Sequence, residues 1–216
     1  MIKFYYAPWS RALATRWLLE ELGVEYEPVQ VDIRAEGGAP EDYRAIQPNK
    51  KVPAIEHDGT VITERAAIAI YLADAFPEAG LAPAVGDPLR GPYLSFVVYN
   101  DSVFDPCVAA RAHGLSYVSN DYSFGLFDDM MANIERHLSN CEYLVGDRFT
   151  AADIQLGASL AFTMDALKVV PRLPAFQAYT ARVTSRPAYR RVKEWDDREA
   201  MALPYFQKMS GGAAQG

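Results

Sequence analysis

Apolar positions change period along the first third of the chain, and the changes mark its elements. Ile2–Tyr6 is aromatic-rich and extended, and Ala7-Pro8 ends it, which predicts a strand. From Ser10 to Leu22 the apolar residues Leu13, Ala14, Trp17, Leu18 and Leu22 recur at helical spacing. Gly23 follows as a C-cap. Tyr26–Val31 predicts a second strand, 35–38 a loop and Pro40–Ile46 a short, weak helix. Between Gln47 and Leu72 come a strand opened by Pro53, a tight Asp58-Gly59 turn, a further strand and a helix from Glu64 to about Ala75. The order β-α-β, short helix, β-β-α predicts a four-stranded mixed sheet with helices on its faces.

Strand alternation then stops. Residues 77–88 are rich in Pro, Gly and Ala and read as a linker. Beyond it the pattern is helical: one long helix from Leu89 to about Gly114, bent near Pro106, then Tyr122 to about Asn140, Ala151 to about Leu167, Pro174–Ser185 and Pro187–Asp197. The tail after Pro204 turns small and polar, and 210–216 reads as frayed. The fold class is α/β plus all-α, with a sheet domain over 1–76, the linker over 77–88 and a helical domain over 89–216.

Length and charge remove several function classes. With 216 residues, half of them hydrophobic, the chain has material for two small cores. A net charge of −7 offers no footprint for nucleic acid or an anionic membrane. No apolar run reaches the roughly 20 residues of a membrane span, and no secretory leader is visible, so the expected location is the cytoplasm. Cys107 and Cys141 form no Cys-x-x-Cys pair and read as reduced, packed thiols. His57, His113 and His137 lack metal-ligand spacing, so no metal is expected.

The chemistry concentrates between Gln47 and Leu72. Pro53 cannot donate to a ladder, so it belongs at a strand's first residue, and it is a candidate for a cis bond. Val52 would then offer its backbone N–H and C=O to an extended peptide. Thr63 can cap the next helix, which would turn the Glu64 and Arg65 amides outward, towards a carboxylate. Together these features predict a site for a short peptide with an anionic end.

A second motif is structural. In Gly146-Asp147-Arg148-Phe149-Thr150-Ala151-Ala152-Asp153-Ile154, Thr150 and Asp153 can cap one helix reciprocally while Phe149 staples onto Ile154. With this motif, the stretch Val52-Pro53-Ala54-Ile55, the helix from Glu64 ending Ala-Ile-Tyr-Leu, the Pro/Gly linker and the first helix ending Trp-Leu-Leu-Glu-Glu-Leu-Gly, almost the whole chain resembles the glutathione S-transferase family. The resemblance implies a thioredoxin-like first domain, an all-helical second domain and a homodimer. It also implies glutathione, as co-substrate, on the first domain and a small hydrophobic electrophile in a cleft lined by both.

It further implies roles for single residues. A thiol pKa near 8.5 moved to about 6.5 needs roughly 2.7 kcal/mol of thiolate stabilisation, the scale of a hydroxyl donor plus a helix N-terminus. Ser10 is the first candidate donor, since the family's serine-type members carry theirs at the start of this helix; the plainer reading is an N-cap. Tyr5 is the rival, and it faces the opposite side from Tyr6. Val52 would pair with the cysteinyl backbone beside Pro53, Lys51 would meet the glycyl carboxylate and Glu64 the γ-glutamyl ammonium. Arg65 stands where the family usually has Ser, and Lys50 where many members have Gly. Arg65 could take the γ-glutamyl carboxylate bidentately, and Arg11 could anchor a carboxylate. Trp9, Tyr99, Phe104 and Val108 are candidates for the electrophile's lining, with Tyr205 and Phe206 as further ones. The implied activity is conjugation of the glutathione thiolate to an electrophile. Alternatives are a non-catalytic binding or assembly protein, or a glutathione-dependent reductase, isomerase or ether-cleaving enzyme on the same site.

Overall fold

The computed structural model describes residues 1–207; the tail read as frayed, 210–216, lies outside the described residues. The chain groups into two compact units, one of residues 1–68 with 187–207 and one of 69–186. The first boundary falls between Ile68 and Ala69, ahead of the Pro/Gly-rich segment 77–88, and the last helix is grouped with the sheet.

In the first unit, β1 (Ile2–Tyr6) leads to α1 (Ala12–Leu22), then β2 (Tyr26–Gln30), a 3-10 turn over Glu41–Ala45, β3 (Ala54–His57) and β4 (Thr60–Thr63). The helix α2 (Arg65–Ala75) begins here and runs on into the second unit. The four strands form one sheet in the order β2-β1-β3-β4. β1 runs parallel to β2 and antiparallel to β3, and β3 runs antiparallel to β4, so the sheet is mixed as the element order predicts. Asp58 and Gly59 both have positive φ, 49° and 81°, the conformation a two-residue hairpin turn requires. Gly23, at φ 68°, closes α1 by donating its N–H to the Leu19 carbonyl at 3.1 Å.

α1 begins two residues later than its periodicity predicts. Residues 8–11 instead form a turn, in which Trp9 takes a left-handed φ of 50°. The two sheet faces carry different clusters. Phe4 and Tyr6 stack on one at 5.5 Å, and Tyr5 packs on the other with Val31, Ala39, Tyr43 and Ala54.

The second unit is helical: α3 (Arg90–Tyr99), α4 (Asp105–Ala112), α5 (Phe127–Leu138), α6 (Ala151–Asp165) and α7 (Pro174–Thr184). α8 (Pro187–Ala202) is grouped with the first unit. The stretch read as one bent helix is two, joined by a π-helical turn over Asn100–Phe104. That turn lies where the Pro106 ring would crowd the preceding helical turn and where Pro106 leaves a carbonyl without its donor. α8 also runs further than expected, since Arg-Glu-Ala-Met-Ala contains no breaker. Phe104 and Val108 are buried in the core of this unit, which leaves them no surface for a ligand.

Candidate active site

Register brings the segments named for the predicted peptide site to one end of the sheet. Tyr5 pairs with Ala54, and Ala54 with Thr63, so these three residues form a row across β1, β3 and β4. One step beyond that row stand Tyr6 on β1, Pro53 before β3 and Glu64 after β4, and β1 continues through Ala7 into the 8–11 turn. Three segments far apart in sequence therefore leave the sheet side by side.

The Val52–Pro53 peptide bond is cis. Val52 lies just outside β3, so its N–H and C=O take no part in the ladder, while its half-buried side chain packs against the Tyr5–Tyr43 cluster. Sequence reasoning missed the group that shapes this edge. Gln47 is 3% exposed; its Oε1 accepts the Lys51 N–H at 3.1 Å and its Nε2 donates to Glu64 Oε1 at 3.4 Å. The Tyr43 hydroxyl donates to the Lys51 carbonyl at 3.1 Å, so both backbone groups of Lys51 are held while its ammonium stays at the surface. Lys50 instead turns back, donating to the Gly37 carbonyl and to Glu41, at a left-handed φ of 57°.

Glu64 is exposed and left-handed, with φ 67°. A non-glycine residue there costs about 1–2 kcal/mol and persists only where its surroundings fix it. Its carbonyl accepts the Ile68 N–H at 2.9 Å as α2 begins. Arg65 follows, 6% exposed, its charge buried at the helix start.

The 8–11 turn is clamped. The Pro8 carbonyl accepts Arg34 Nη2 at 2.8 Å, and the Trp9 carbonyl accepts the same nitrogen at 3.1 Å. The Trp9 N–H donates to the Asp196 carboxylate, with both oxygens at 3.2 Å, and Trp9 Nε1 donates to Asp197 at 2.7 Å. Phe206 packs edge-on to the Trp9 indole at 4.6 Å, and Arg34 lies over the Phe206 ring at 4.4 Å. Ser10 Oγ accepts the Ala12 N–H at 3.1 Å and donates to the Ala7 carbonyl at 2.6 Å, so it performs the capping role. Arg11 is half-buried at the N-cap of α1.

Tyr5 faces elsewhere. Its hydroxyl donates to Glu56 Oε2 at 3.2 Å, and burial, then Glu56, push its pKa up. A tyrosine held protonated in this way donates to its carboxylate partner. Tyr99 is half-buried in the helical unit, and its hydroxyl accepts from Asn133 at 3.4 Å. Among the described residues no cluster of His, Cys, Asp or Glu could hold a metal ion, and no helix is long and apolar enough to cross a membrane.

Two family models match this chain: "Glutathione S-transferase, N-terminal domain" over residues 1–74 and "Glutathione S-transferase, C-terminal domain" over 121–187. The chain belongs to the glutathione S-transferase family. It is 26% identical to Protein LigF of a Sphingobium strain, across 97% of this chain and 99% of that one. To glutathione S-transferase GstA of Escherichia coli O157:H7 it is 28% identical, across 86% and 94%. A sphingomonad glutathione S-transferase solved in complex with glutathione superposes with a TM-score of 0.75 at 29% identity, covering 90% of this chain and 98% of that one.

In this glutathione S-transferase chain the Asp196 carboxylate is costly to keep charged. Asp196 is 3% exposed, and burial lifts its pKa to about 6 against the Trp9 N–H, which lowers it. A folded-state pKa above the unfolded value favours folding at pH below the unfolded value, near 4, and that contribution is lost as pH rises through about 6. Asp196→Asn is therefore expected to raise the melting temperature at pH 8, by up to about 3 kcal/mol of stability, and to leave it unchanged at pH 4. Thermal unfolding of both proteins at the two pH values checks this.

Proposed function

We propose that this chain conjugates the glutathione thiolate to a small hydrophobic electrophile. The observation that carries the reading is the convergence of Val52-Pro53, Glu64-Arg65 and the 8–11 turn at one end of the sheet. An extended γ-Glu-Cys-Gly chain fits such an edge: its cysteinyl backbone pairs with Val52 and its glycyl carboxylate meets the exposed Lys51. The γ-glutamyl group meets Glu64 through its ammonium and the start of α2, with Arg65, through its carboxylate. Pro53 shapes the edge and Arg11 adds positive charge beside the turn.

Ser10 then stabilises the sulfur. Its proton is donated to the Ala7 carbonyl, so the hydroxyl must redirect that proton, by rotation about Cβ–Oγ, to donate to a thiolate at the turn. The thiol proton leaves to solvent, the sulfur attacks the electrophilic carbon, and the new C–S bond forms as the leaving group departs with its electron pair. Tyr5 is the less favoured donor, because its hydroxyl is committed to Glu56. Trp9, 40% exposed, offers apolar surface to the electrophile beside the turn. By family likeness the working form is a homodimer in the cytoplasm.

Ser10→Ala tests the assignment. Conjugation of a dinitro-activated aryl chloride is expected to fall about 10- to 100-fold in kcat/KM, with the thiolate pKa of bound glutathione raised by at least about one unit. Unchanged conjugation in Ser10→Ala would remove Ser10 from catalysis and pass the role to Tyr5, tested by Tyr5→Phe.

A further inference from the structure

The Pro8–Trp9 peptide unit is gripped at both ends: its carbonyl accepts from Arg34 and its N–H donates to Asp196. The residue after it is Ser10. We propose that the Asp196 carboxylate is a positioning residue for this turn, fixing through the Trp9 N–H where the Ser10 hydroxyl stands relative to a bound glutathione sulfur. The inference rests on the glutathione reading above.

Three observations support it. Trp9 is in the left-handed region, which a bulky side chain adopts only when its neighbours dictate it; the neighbours are Asp196, Asp197 and Arg34. Asp196 is nearly inaccessible and placed on α8, 187 residues away in sequence, so no local capping or solubility role explains an acid there. Its charged form is also disfavoured by burial, a cost that an uncharged side chain would avoid. The groups around it are Arg16 on α1, the Tyr6 hydroxyl on β1, Arg34 from the loop after β2, and Lys193, Asp197 and Glu199 on its own helix. Arg16 lies 3.1 Å over the Trp195 ring, and its Nε and Nη1 form no hydrogen bond, so the attraction between Arg16 and Asp196 is through space. Among the described residues the Asp196 carboxylate accepts its hydrogen bonds from the Trp9 N–H alone. Its orientation is thus tied to that of the Trp9 N–H.

A positioning role predicts a split between kcat and KM. Glutathione docks on Val52, Lys51, Glu64 and Arg65 in either case, so its KM should move less than about threefold. A misplaced donor slows the chemical step, by about 100-fold in Asp196→Ala. Asp196→Asn keeps an acceptor oxygen for Trp9 and should recover kcat to within about tenfold of the wild type. The experiment is steady-state conjugation of the dinitro-activated aryl chloride by the full chain, with glutathione varied, for wild type, Asp196→Ala and Asp196→Asn. Amide hydrogen exchange at Trp9 is followed in the same three proteins, and it should be fastest in the alanine variant. A folded Asp196→Ala enzyme with wild-type kcat overturns the role of Asp196 alone. Should that variant fail to fold, Asp196→Leu, which fills the space without an acceptor, decides: a lowered kcat at unchanged KM supports the inference, and a wild-type kcat overturns it. A wild-type chain that neither binds glutathione nor turns over overturns the glutathione reading, and this role with it.

Discussion

Asp153→Ala is expected to destabilise the helical unit by about 3–5 kcal/mol, enough to unfold a marginal domain. Asp153 is 0% exposed and accepts four hydrogen bonds. The donors are the Leu144 N–H at 2.9 Å, the Thr150 N–H at 2.9 Å, the Thr150 hydroxyl at 3.1 Å and the Tyr179 hydroxyl at 2.9 Å. Alanine would leave these donors buried without an acceptor, at about 1–3 kcal/mol each before relaxation. Asp153→Asn retains one acceptor oxygen and should lose about half as much. Urea unfolding followed by far-ultraviolet circular dichroism reads the difference in midpoint. A loss below about 1 kcal/mol in Asp153→Ala would show that the capping network contributes little beyond an ordinary surface cap.

Glu64→Gly separates stability from binding. At φ 67° glycine removes the steric cost that glutamate bears, and its extra chain entropy offsets part of the gain. Glycine also leaves the buried Gln47 Nε2 without its Glu64 acceptor, so the fold is expected to stay within about 1 kcal/mol of the wild type. Glutathione affinity should nonetheless fall about 100-fold, because a bound ammonium loses its carboxylate partner at a helix start. Glu64→Gln keeps the side-chain length and should lose about tenfold. Calorimetric titration with glutathione gives both affinities. Unaltered binding in Glu64→Gly would mean that the ligand's amino end lies elsewhere.

The strands, the hairpin and the order of elements were legible because each has a local signal: an aromatic run, Asp58-Gly59, Gly23 past a helical period. The cis Val52–Pro53 edge was legible for the same reason, since proline's missing donor restricts where it can stand. Gln47 and Asp196 were not, because both act through partners that only the fold brings near. The Asp196–Trp9 bond spans 187 residues, and no periodicity encodes it. Ser10 illustrates a different ambiguity: one hydroxyl at a helix start satisfies both the capping and the catalytic pattern, and the bonds it makes are those of the first. Phe104 and Val108 fit an apolar stripe at helical spacing, a pattern shared by cleft and core, and their burial assigns them to the core. The break between α3 and α4 was legible as a bend at Pro106 but not as a π-helical turn, which depends on how the chain re-pairs its carbonyls around the proline.

The central claim is that glutathione lies along the sheet end formed by Val52-Pro53 and Glu64-Arg65. Amide chemical shifts of the full chain, followed during a titration with reduced glutathione, test it directly. The account predicts saturable shifts centred on Val52, Glu64 and Arg65, with a dissociation constant in the range of about 1 μM to 1 mM typical of enzyme substrates. Glutathione that produces no saturable shift at those three amides would contradict it.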